Sequence, residues 1–71
     1  MAIQRAKDLL DLINPSTEEI EKSIAALRLD SEYVRKCVNA NLRERAAGEK
    51  VIEEISTLIE RLEKKLKSIT N

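Results

Sequence analysis

Few residues in this 71-residue chain have the types that chemistry needs. Cys37 follows Arg35 and Lys36 in "EYVRKCVN", and adjacent cations favour a reactive thiolate. The same thiol lies beside Val34 and Val38 at helical spacing, which reads instead as a small buried hydrophobe. Ser16 would need a base to become a nucleophile, and the chain contains no histidine. Its place in "STEE", three residues before Glu19, is better explained as a capping box at the start of a helix. Glu18-Glu19 and Glu53-Glu54 could hold a hard cation, but the spacing of a cation-binding loop is missing, so they read as solvated helix faces. There is no glycine-rich loop to cradle phosphate. The expectation is a protein without catalytic residues, metal or cofactor, and not an enzyme.

Nucleic-acid recognition is the other chemistry to weigh. "STEEIEKSIAALRLDSEYVRKCVNANLRER" parses as helix, short turn and helix, which looks like a helix-turn-helix motif. In that parse Ile20, Ile24, Leu27, Val34 and Val38 form a small core. Arg35, Lys36, Asn39 and Arg43 would form the nucleic-acid face, with side chains able to read base edges. The turn lacks a glycine, however, and the chain carries 13 bases against 13 acids. Net neutrality removes the general attraction to phosphate that such proteins use. A small dimeric DNA-binding protein using residues 31–45 is therefore the alternative.

The elements that would position these residues are helical. Tyr33 is the one aromatic, there is one glycine and one proline, and 37% of the residues are charged. That is the composition of long helices and coiled coils. Asn14-Pro15 must interrupt the chain, because proline cannot donate a backbone hydrogen bond and pushes its predecessor out of the helical region. Before it, Ile3, Ala6, Leu9, Leu10 and Ile13 share one helical stripe. Beyond it, Ile20, Ile24, Leu27, Val34 and Val38 continue a single heptad frame that picks up again from Ile52 to Ile69. Glu18–Lys22, Glu32–Lys36, Glu60–Lys64 and Glu63–Lys67 have the favourable order for helix-surface pairs. Tyr33, just off the stripe, suits the junction of the short and long helices.

Two places invite a break. Asp30 or Ser31 could cap a fresh helix, and Gly48 could end one. No capping residue precedes Glu49, and strong helix formers flank Gly48, so the glycine is expected inside a helix, where Ala46-Ala47-Gly48 would admit a close neighbour.

The sequence thus predicts one all-α domain over residues 1–71. A short helix and a proline turn lead into one long helix from about 17 to 69, open to kinks or turns near 29–31 and 48. Residues 1–46 would form the helical hairpin portion and 49–71 a coiled-coil-like oligomerisation helix. Val51, Ile52, Ile55, Leu58, Ile59, Leu62, Leu66 and Ile69 would be its oligomer or partner interface. The function would be protein–protein interaction or oligomerisation within a helical assembly, with a second copy or another helical protein as partner. A monomeric three-helix bundle is the alternative architecture. The lone cysteine suits a reducing compartment, cytoplasm or nucleus. No apolar stretch approaches the roughly 18 residues of a membrane span.

Overall fold

Proline and asparagine, rather than glycine, divide the chain. The computed structural model describes residues 2–70 and shows three helices and, among those residues, no strand. They are α1 (Ala2–Asp11), α2 (Thr17–Asn39) and α3 (Arg45–Thr70).

The first boundary falls where Asn14-Pro15 requires it. α1 stops at Asp11, so Ile13 lies outside the helix and is 91% exposed rather than part of the apolar stripe. Ser16 is the N-cap of α2 with extended backbone, as the capping pattern implies, but its side chain makes no capping hydrogen bond. α1 is closed at its other end from a distance. The Lys65 ammonium donates to the carbonyls of Leu10 and Leu12 at 2.7 and 2.6 Å. A cation there answers both the orphan carbonyls and the negative end of the helix dipole.

The single long helix expected after Pro15 does not form. α2 ends at Asn39, five residues connect it to α3, and α3 runs back antiparallel. The break sits at Ala40–Glu44, not at 29–31 or 48. Asn41 adopts φ 60°, the left-handed conformation that asparagine tolerates better than most side chains. The Leu42 N–H donates to the Cys37 carbonyl at 2.9 Å and the Asn41 N–H to the Val38 carbonyl at 3.1 Å, together a Schellman motif. Asp30 and Ser31 lie inside an unbroken α2, so the turn required by the helix-turn-helix parse is absent. The molecule measures 42 × 19 × 16 Å, against roughly 80 Å for the rod that a continuous helix would give.

Gly48 lies inside α3, as expected, and for a packing reason. A Cβ on it would overlap Val38 Cγ2, so the missing side chain lets α2 and α3 approach closely. All three helix pairs are in contact. The core joins Ala6 and Leu9 from α1, Ile20, Ile24 and Leu27 from α2, and Ile55, Leu58 and Leu62 from α3. Ser23 is buried at the α1–α2 junction with its hydroxyl unpartnered. Tyr33 is 67% exposed, at a groove rim beside Ile3 and Val51 rather than plugging the junction.

Candidate interaction face

The expected interface on α3 is divided by the bundle. Ile55, Leu58 and Leu62 point into the core and are buried by the chain's own α1 and α2. This removes them from the surface assigned to a partner, because the hairpin brings α2 onto the stripe that a straight rod would leave bare. Val51, Ile59 and Leu66 pack against the core while staying partly exposed. Ile52 is half-buried beside Arg35 and Val38, and Ile69 is 43% exposed.

Helical geometry says which of these share a side. Each residue advances the helix by about 100°, so positions seven apart nearly superpose. Ile52, Ile59 and Leu66 form one such row on α3. α1 occupies another side. Lys7 on α1 pairs with Glu54 at 3.0 Å, Lys65 reaches the end of α1, and Ile3 shares a groove with Val51 and Ile55. On α2 the corresponding row is Ile24, Ser31 and Val38, of which Ser31 stays half-buried. Val38 and Ile52 share a groove on the back of the hairpin, while Ile24 and Val38 are themselves buried. Arg28 on α2 bridges to Glu63 on α3 at 3.8 Å.

The four residues of the proposed nucleic-acid face are not brought together. Arg35 and Asn39 border the back of the hairpin together with Arg45, Glu49 and Glu53. Arg43 lies in the connection and lines the groove on the α1 side with Asp30 and Tyr33. Lys36 is exposed on α2. The acids beside Arg35 and the split across two sides deny the arrangement a continuous positive strip.

Of the expected helix-surface pairs, Glu18–Lys22 forms at 3.2 Å. Glu63 is instead drawn across the hairpin to Arg28. Among the described residues no helix is long and apolar enough to cross a membrane, and no three His, Cys, Asp or Glu residues gather to hold a metal ion. No family model, curated protein or solved structure matches the chain.

The signal for the connection was present at Asn41, since asparagine is the usual substitute for glycine just beyond a helix end. The division of the α3 stripe had no comparable signal. Periodicity shows which residues share a face but not which neighbour covers it.

Proposed function

We propose that this chain is a non-enzymatic helical interaction module that associates through the back of the α2–α3 hairpin. The observation that carries this is the row Ile52, Ile59 and Leu66, which keeps seven-residue spacing and part of its surface after the intrachain core has closed. Large aliphatic side chains in a row on a helix gain by leaving water together, about 25 cal/mol for each Å² covered. A second helix laid along such a row meets a ridge spaced for coiled-coil packing. Of the exposed apolar residues elsewhere, Leu12, Ile13 and Leu42 lie in connections, Ile69 near the end of α3, and Leu29 and Tyr33 form a single pair on α2 rather than a row of three.

The test is sedimentation equilibrium of the full chain and its Ile52→Asp and Ile59→Asp variants, with helicity checked by circular dichroism. Ile52 lies outside the core cluster, so its replacement separates loss of association from loss of folding. Wild-type association lost in a folded Ile52→Asp variant supports the proposal. Association unchanged in both folded variants sinks it.

A further inference from the structure

The charges bordering this face say what lies on it. On α2, Glu21, Arg28 and Arg35 follow one another at seven-residue intervals; on α3, Lys67, Glu60 and Glu53 do the same in reverse. All six side chains are exposed, and among the described residues only Arg28 has an intrachain ion pair. The antiparallel register is bracketed inside the chain by Val38 against Gly48 and by the longer reach of Arg28 to Glu63. Between those two contacts Glu21 falls near the level of Lys67, Arg28 near Glu60 and Arg35 near Glu53. At these three levels the two helices carry opposite charge along the edges of the back face.

Resting on the association proposed above, we infer that the partner is a second copy of this chain, paired back to back about a two-fold axis parallel to the helices. That axis lays α2 of one copy over α3 of the other, antiparallel and at the same level. The outcome is an up-down four-helix bundle with both α1 helices outside. The side chains newly covered are Leu66, Ile59, Ile52 and Ser31, laid over Ile24 and Val38, which the chain's own packing already buries. The flanking charges then meet as Glu21–Lys67, Arg28–Glu60 and Arg35–Glu53 between copies, the role such positions play in setting coiled-coil partners. A two-fold axis across the helices would instead set Arg28 against the second copy's Arg35, and Glu53 against its Glu60. Like charges so placed oppose association, so the charge pattern selects the first arrangement. The small Ser31 leaves room for Ile59 from both copies.

Two variants of the full chain test this. R28E/R35E makes the α2 edge acidic, and E53R/E60R makes the α3 edge basic. Each alone sets like charges between copies, and each is expected to weaken pairing at least tenfold in sedimentation equilibrium while keeping its helicity. Mixed in equal amounts, they restore opposite charge at both edges and form a one-to-one heterodimer. Mixing leaves pairs within one chain unchanged, so recovery reports contacts between chains. A wild-type chain that stays monomeric into the submillimolar range overturns the inference. So does a wild-type dimer indifferent to the charge reversals. If that dimer still dissociates on Ile52→Asp, the face is right and the pairing mode is wrong. If it ignores Ile52→Asp as well, the association proposal itself fails.

Discussion

The two ends of the α2–α3 hairpin are built differently. At the end where α1 lies, three helices bury Ala6, Leu9, Ile20, Leu27, Leu58 and Leu62 among themselves. At the connection end only α2 and α3 remain, and they meet through Val34, Val38 and Gly48. α1 has 10 residues against 23 and 26 for its neighbours, so it spans only about 15 Å of a hairpin more than twice as long. One end gains stability by volume of apolar packing. The other gains it by closeness, because glycine allows two backbones to approach where no third helix can contribute. Local opening is therefore expected to begin near residues 34–52, where fewer buried side chains resist it.

Four substitutions probe this contrast, from the largest effect to the smallest. Leu62→Ala empties a fully buried position in the three-helix end and should cost about 2–5 kcal/mol in urea unfolding. Gly48→Ala strikes the two-helix end. Alanine in an exposed helix would stabilise by about 1 kcal/mol, but here its Cβ meets Val38, whose branched side chain has little freedom to turn. The expected result is a net loss of about 1–3 kcal/mol, relieved when Val38→Ala is added. A stabilised Gly48→Ala protein would show that the close approach is not what holds this end together. Ser23→Ala should raise stability by about 1 kcal/mol, since it removes a buried hydroxyl without a partner. Lys7→Ala breaks an exposed pair with Glu54 and should change the unfolding free energy by less than about 1 kcal/mol.

The sequence announced its two turns with unequal clarity. Pro15 is unambiguous because proline alters the backbone itself, whatever surrounds it. Asn41 only permits a left-handed residue, and its neighbours are compatible with continuing the helix. The heptad frame then favoured continuity, since an antiparallel hairpin can keep its apolar residues on one shared seam just as a straight helix does. For the same reason Ile55 and Ile52, three residues apart, looked equivalent until α2 and α1 were in place. One became core, while the other stayed part of a surface. The glycine was placed correctly because its flanks favour helix so strongly, and its small size was matched to a close neighbour. The charge rows at 21, 28, 35 and 53, 60, 67 become meaningful only once the antiparallel register is known.

The reach of Lys65 back to Leu10 and Leu12 also bears on the order in which the molecule is assembled during synthesis. Those contacts span 55 and 53 residues of chain. At ordinary ribosomal speeds, Lys65 is added roughly 3–11 s after the helix end that it closes. Leu58 and Leu62, against which α1 packs, also come late. For the later half of that interval α1 and α2 are both complete but their apolar sides lack α3. The nascent chain thus passes through a stage in which its earliest helix is the last to find its seat, and in which chaperone access matters most.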